Sequence, residues 1–204
     1  MSEPCRVLIV DDHEIVRSGL TLLLKSHGYE VAGTIKSGAE VIPFLQTDAV
    51  DIILLDLSLP DVHGLTILAE LVGVYDASVI VLSGELDGAA CESAIKMGAR
   101  ALVSKSDPSP TILKALSEVQ AGNTFHAPSI QEVLATRAPT DISFSPRQMA
   151  ILHFFANGET NKEIGYRLRI AAPTVSFHLR EIREKIGVAH NKKIIEKARS
   201  LGLI

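Results

Sequence analysis

Four short apolar runs punctuate the first half of the chain: Val7-Leu8-Ile9-Val10, Ile52-Ile53-Leu54-Leu55, Val79-Ile80-Val81-Leu82 and Ala101-Leu102-Val103. Unbroken runs of about four to eight apolar residues suit strands covered on both faces of a parallel sheet. A further strand is predicted over Tyr29 to Ile35. Between the runs the spacing turns helical. Glu14 to Lys25 carries Ile15, Leu20, Leu22, Leu23 and Leu24, the pattern of an amphipathic helix. Ser37 is placed to cap a helix running to about Leu45. After the turn at Leu59-Pro60-Asp61 and Gly64, a helix is expected from Leu65 to Leu71. Gly88 to Met97 gives another, ended by Gly98, and Pro110 opens one that continues to Gln120 and stops at Gly122. Five β-α units with right-handed crossovers make an α/β doubly wound, five-stranded parallel sheet with strand order 2-1-3-4-5.

The second half changes character and reads as a small all-α unit of four short helices. Ser145 before Pro146 is a cap followed by proline at the first helical position. That helix carries Ile151, Leu152, Phe154 and Phe155 and stops near Asn157-Gly158. A second begins at Thr160 and carries Ile164 and Leu168. The third follows Ala172-Pro173, with Val175, Leu179, Ile182 and Ile186 at helical spacing. A last helix over about Lys192 to Ser200 offers Ile194, Ile195 and Ala198. Residues 1–122 and 143–204 are thus expected to be separate domains. Residues 123–142, with Pro128, Pro139 and a turn-like Thr140-Asp141, form the expected linker. Ile130 to Arg137 could make a short helix there, either tethering only or packing on one domain.

Charge sharpens this division. The 204 residues carry a formal charge of −4, but 17 of the 24 acids fall in residues 1–125 and 11 of the 20 lysines and arginines in residues 143–204. The basic end suits a polyanion and the acidic half would be repelled by one. No apolar run approaches the ~20 residues needed to span a bilayer. Met1-Ser2-Glu3-Pro4 lacks the basic and apolar regions of a secretory signal. Cys5 and Cys91 form no metal or redox pattern and are expected as reduced thiols in a cytoplasmic protein.

Asp11, Asp12, Asp56, Ser83 and Lys105 each stand at or just beyond the end of an apolar run. Ligands of an open parallel sheet collect beyond the carboxyl ends of its strands. One acid at such a place is ordinarily a helix cap. Three together repel and call for a cation, and an oxygen-only set favours Mg²⁺ or Mn²⁺. With the ion in place, Lys105 and Ser83 are positioned to receive a phosphoryl group on one carboxylate.

The segments Val10-Asp11-Asp12-His13, Leu55-Asp56-Leu57-Ser58-Leu59-Pro60-Asp61, Val81-Leu82-Ser83-Gly84 and Val103-Ser104-Lys105 resemble the receiver domain of bacterial two-component response regulators, a flavodoxin-like fold. The resemblance implies Asp56 as phosphoacceptor, Asp12 as a direct metal ligand and Asp11 acting through water. It implies that the backbone carbonyl of Ser58 completes the coordination, that Lys105 pairs with the phosphate and that Ser83 hydrogen-bonds it. Such a domain assists its own phosphorylation and turns over no external substrate. A phosphatase using an aspartyl nucleophile would need a second aspartate two residues on, where this chain has Ser58.

Two short helices joined by a tight turn, the second with a polar face, describe a helix-turn-helix. The segments Ser145-Pro146-Arg147-Gln148, Gly158-Glu159-Thr160-Asn161-Lys162-Glu163-Ile164, Thr174-Val175-Ser176-Phe177-His178-Leu179 and Lys185-Ile186-Gly187-Val188 resemble the LuxR-type (NarL/FixJ-type) DNA-binding domain. The resemblance implies that Ser176, Phe177 and Arg180 address base edges and that Lys162, Thr174, Lys192 and Lys193 contact phosphates. His178 either packs or braces the turn. The sequence departs from the family at Ser176 (usually Lys), at Gln148 (usually Glu, losing an ion pair) and at Leu102, the switch position, usually aromatic.

The resulting expectation is a transcriptional response regulator. A sensor histidine kinase phosphorylates Asp56, the chain forms a homodimer, and the pair binds double-stranded DNA half-sites, with no membrane involved. The alternative, motivated by Leu102, is DNA binding independent of phosphorylation, with the receiver-like half serving protein interaction.

Overall fold

A computed structural model describes residues 4–71, 73–84, 88–136, 142–201 and 203–204. The predicted strands form as β1 (Arg6–Val10), β2 (Glu30–Ile35), β3 (Ile52–Asp56), β4 (Ser78–Ser83) and β5 (Ala101–Ser104). All pair in parallel. The interior strands are apolar through their middles because helices cover both faces, and every residue of β3 is buried. Those helices are α1 (Glu14–Ser26), α2 (Val41–Thr47), α3 (Gly64–Leu71), α4 (Gly88–Lys96) and α5 (Ser109–Gln120).

One strand was not expected. Among the described residues the sheet has six strands in the order 2-1-3-4-5-6, the sixth being β6 (Phe125–His126). It pairs in parallel with β5, Ala101 opposite Phe125 and Leu102 opposite His126. Two residues are too few to show a period, so this strand reads as connector in the sequence. The short helix forms, with an earlier start than expected. It spans Pro128–Ala135 as α6, and it packs on β5 and α4 with Ile130 buried. Of the two readings of this helix, its contacts with α4 and β5 favour packing on the first domain. Pro139, the Thr140-Asp141 turn and the expected helix end at Arg137 lie outside the described residues.

Ser37 does not cap as expected. Its hydroxyl donates to Asp61 Oδ2 at 2.7 Å, and Asp61 also accepts the N–H groups of Gly38 and Ala39 at 2.9 and 3.0 Å. A carboxylate from the β3–α3 loop thus serves the helical turn Gly38–Glu40, and these bonds hold its pKa far below the usual carboxylate range.

The helical domain comprises α7 (Pro146–Ala156), α8 (Asn161–Arg167), α9 (Ala172–Lys185) and α10 (Ile194–Ser200). Ser145 and Thr160 each close a capping box with Gln148 and Glu163. Gly165 permits the tight α8–α9 turn, since a Cβ there would lie 2.7 Å from the Ile170 carbonyl oxygen. The α9 stripe of Val175, Leu179 and Ile182 is buried together with Phe154, Ile164 and Leu168. The two domains touch: α7 packs on α3 and α4.

Candidate functional site

Strand register brings the five predicted polar residues to one edge. Val10 lies opposite Leu55 and Asp56 opposite Leu82. Ser83 lies opposite Ser104, next to Lys105. Parallel strands in this register end together, so Asp11, Asp56, Ser83 and Lys105 emerge side by side. Gly64 lets α3 begin tightly against this edge, because a Cβ there would come within 2.5 Å of the Asp56 carbonyl oxygen.

Asp11 and Asp56 are 1% and 0% exposed, and Ser83 is buried beside them. Lys105 Nζ lies 2.7 Å from Oδ2 of Asp56 and 2.7 Å from Oδ2 of Asp11. Burial draws the Lys105 pKa down, but the hydrogen bonds and charges of Asp11 and Asp56 outweigh it and hold the ammonium above its ordinary value. The other oxygen of Asp56 accepts the Ser58 N–H at 3.1 Å.

One cation does not balance three acids. Oδ2 of Asp11 faces Lys105 Nζ and Oδ1 of Asp12 faces His13 Nδ1, each at 2.7 Å, so a single lysine serves Asp11 and Asp56 together. Oxygens of Asp11, Asp12 and Asp56 and a nitrogen of His13 lie within 4.8 Å of one another. A hard divalent cation suits this mainly carboxylate donor set.

His13 was not among the predicted site residues. Its N–H donates to Asp11 Oδ1 at 2.8 Å, and its Nδ1 stands 2.7 Å from Asp12 Oδ1. Arg17 was missed as well, and its Nη1 donates to the Asp11 carbonyl at 2.7 Å. The only signal for either was proximity to the Asp11-Asp12 pair.

The candidate DNA-contact residues form a second surface. Thr174, Ser176, Phe177 and Arg180 on α9 are all exposed, as are Lys162 on α8 and Lys192 and Lys193 in the helical turn before α10. The Arg180 guanidinium lies over the Phe177 ring, 5.2 Å from its centroid. Ser176 accepts a hydrogen bond from Asn161 at 2.9 Å, which fixes the start of α8 against α9. Lys193 is paired with Glu196 at 2.9 Å. His178 braces its own helix, with Nδ1 3.0 Å from Glu181 Oε2.

Gln148 keeps a structural part without the ion pair. Its Oε1 accepts from Lys185 at 2.9 Å and from the Ser145 N–H at 3.1 Å, while Nε2 donates to Glu181 at 3.1 Å.

Residues 7–117 match the response regulator receiver domain, and residues 142–198 match the luxR family of bacterial regulatory proteins. The chain belongs to the response regulator family with a luxR-type C-terminal domain. The Fimbriae Z protein of Salmonella typhimurium is 30% identical over 99% of this regulator and 100% of its own length. The probable transcriptional regulatory protein SgaR of Hyphomicrobium methylovorum is 32% identical, covering 93% of this chain and 90% of its own. The response regulator RcsB of Salmonella typhimurium shares the fold, with a TM-score of 0.65 and 24% identity over 98% of this regulator and 100% of the RcsB chain. The response regulator ChrA of a heme-sensing two-component system aligns over the full length of both chains with a TM-score of 0.57 and 26% identity. Among its described residues, no helix of the regulator is long and apolar enough to cross a membrane.

Proposed function

We propose that this regulator accepts a phosphoryl group on Asp56 and thereby controls how its α9 meets promoter DNA. The observation that carries the reading is the Asp56 carboxylate, fully buried at the end of β3, with the Lys105 ammonium at 2.7 Å and the Asp11 and Asp12 carboxylates clustered beside it. The donor is a phosphohistidine of a sensor kinase or a small acyl phosphate. An Asp56 oxygen attacks phosphorus, the bond from phosphorus to the donor's nitrogen or oxygen breaks, and that leaving atom keeps the electron pair. Lys105 offsets the charge growing on the phosphoryl oxygens, and Ser83 hydrogen-bonds one of them. Asp11, Asp12, Asp56 and the Ser58 carbonyl would hold a Mg²⁺ or Mn²⁺ ion. When bound, it supplies charge neutralisation that lets a dianionic group approach three carboxylates. The chain modifies itself and turns over no further substrate.

The product carries more negative charge where Lys105 now bridges two aspartates. Lys105 must redistribute, and that redistribution biases the receiver between two arrangements. Phe177, Arg180 and Ser176 are exposed although the domains touch. This favours control through pairing of two chains over release of a hidden reading helix. Paired domains would then occupy half-sites about one helical turn apart. The relatives' names support transcriptional control, and the charge division supports an acidic receiver and a DNA-facing end acting in the cytoplasm.

Leu102 favours the second reading, DNA binding independent of phosphorylation. It is buried on β5, where an aliphatic side chain cannot swing as an aromatic ring can. DNA-shift assays of wild type and Asp56→Ala, with and without acetyl phosphate and Mg²⁺, separate the two. A response in wild type alone is expected; equal binding in all four cases would leave only the second.

A further inference from the structure

Beyond the acid cluster, the loop carrying Lys105 is tied to an element far along the chain. Residues 104–107 form a closed turn. Asp107 N–H donates to the Ser104 carbonyl at 3.0 Å, and Ser104 N–H donates to Asp107 Oδ2 at 2.9 Å. Ser106 N–H donates to Ser104 Oγ at 3.2 Å, and the Lys105 N–H donates to the Ser83 carbonyl at 2.8 Å. Lys105 therefore projects from a knot whose parts move together.

The same Asp107 Oδ2 also accepts the hydroxyl of Ser129 at 2.9 Å. Ser129 lies in the first turn of α6, the last described helix before the DNA-binding domain. One oxygen shared by two donors cannot follow a rotation of the turn without either carrying Ser129 or releasing it. The residue leading into α6 is itself held to β5, since the Ala127 N–H donates to the Leu102 carbonyl at 3.0 Å, and Ile130 of α6 is buried. An acid here also favours the positive end of α6. If Asp107 only braced its own turn, the bond to Ser104 would suffice, and the reach to Ser129 would be superfluous.

We propose that Asp107 is a positioning residue that passes the displacement of Lys105, through Ser129, to α6 and so to the connector. The inference rests on phosphoryl uptake at Asp56 and names the route by which that event leaves the receiver.

The test uses the full-length chain with acetyl phosphate and Mg²⁺, in wild type, Ser129→Ala, Ser129→Thr and Asp107→Ala. Three quantities are read: phosphate stoichiometry by intact mass, amide hydrogen exchange over residues 128–135, and affinity for a duplex selected from a random pool by the wild-type protein. Ser129→Ala leaves the Asp107–Ser104 turn whole. It should take up phosphate as wild type does, yet lose about threefold or more of the phosphate-dependent change in exchange and in DNA affinity. Ser129→Thr, which keeps the hydroxyl, should restore it. Asp107→Ala should lose the response too. Should Asp107→Ala fail to fold, the Ser129 pair decides alone. Wild-type responses in Ser129→Ala overturn the inference while leaving Asp56 in its role. So does a phosphorylated wild type with unchanged exchange over 128–135. A wild type that takes no phosphate overturns the reading of Asp56, and this inference with it.

Discussion

Arg167 of α8 forms an ion pair with Glu70 of α3, joining the DNA-binding domain to the receiver. Arg167 also holds Glu159 at 3.0 Å, so one guanidinium spans three elements. Close by, the Arg169 guanidinium lies 5.1 Å from the centroid of the Tyr75 ring and donates to its hydroxyl at 3.0 Å. Arg169 has φ 51°, a left-handed conformation that glycine adopts at less cost. Glu70→Ala should therefore loosen docking by about 0.5–1 kcal/mol, a shift of roughly two- to fivefold, because such partly exposed pairs contribute little. Amide exchange of α3 and α8 measures it; unchanged protection would mean that apolar packing of α7 on α3 suffices alone.

Lys105 is the only cation within ion-pair distance of both Asp11 and Asp56 among the described residues. Lys105→Met removes it and leaves two buried carboxylates uncompensated, a loss of about 3–5 kcal/mol in metal-free buffer. Mg²⁺ should recover part of that loss and raise the melting temperature of the variant more than that of wild type. Asp12→Ala should weaken Mg²⁺ binding about tenfold or more in calorimetry. Equal Mg²⁺ binding in Asp12→Ala and wild type would exclude Asp12 from the metal site.

Arg180 and Lys162 should differ in how they affect DNA binding. Arg180→Ala is expected to cost about 1–3 kcal/mol on a selected duplex and to relax base preference there. Lys162→Ala should weaken all sequences alike and lower the slope of log affinity against log salt by about 1. Anisotropy titrations at several salt concentrations separate these outcomes, and a swapped pattern would exchange the two assignments.

His153 of α7 lies against the receiver, with Nε2 2.9 Å from Thr66 Oγ1. Burial, and then the charge of His63, hold its pKa down at about 4. Asn157 and Arg199 face the same crevice. The folded chain thus refuses a proton that the unfolded chain binds below about pH 6.5. The stability tied to neutral His153 is complete above that pH and is lost as pH falls toward 4. Denaturant unfolding at pH 7.5 and 5 should differ by about 1–2 kcal/mol from this group. His153→Gln should flatten that dependence; an unaltered slope would assign it to other groups.

The acid cluster was legible residue by residue because Asp11, Asp56, Ser83 and Lys105 each follow a strand whose apolar length is itself visible. Once strands are parallel and in register, their ends must meet. His13 escaped notice because a histidine beginning a helix has no period and no run to mark it. The sixth strand escaped because two residues carry no alternation. The Ser37 cap escaped because Asp61, which accepts the Ser37 hydroxyl and the N–H groups of Gly38 and Ala39, arrives from another loop 24 positions away in sequence.

Local patterning along the chain was thus enough to define two domains, the order of the first five strands, the carboxylate edge and the basic helix, because these follow from periodicity and from where apolar runs stop. Contacts between side chains distant in sequence belong to the folded state alone: Glu70 with Arg167, Thr66 with His153, Asp107 with Ser129. Each joins surfaces that local spacing leaves equally free to face water, and only packing of the elements brings them within hydrogen-bonding reach.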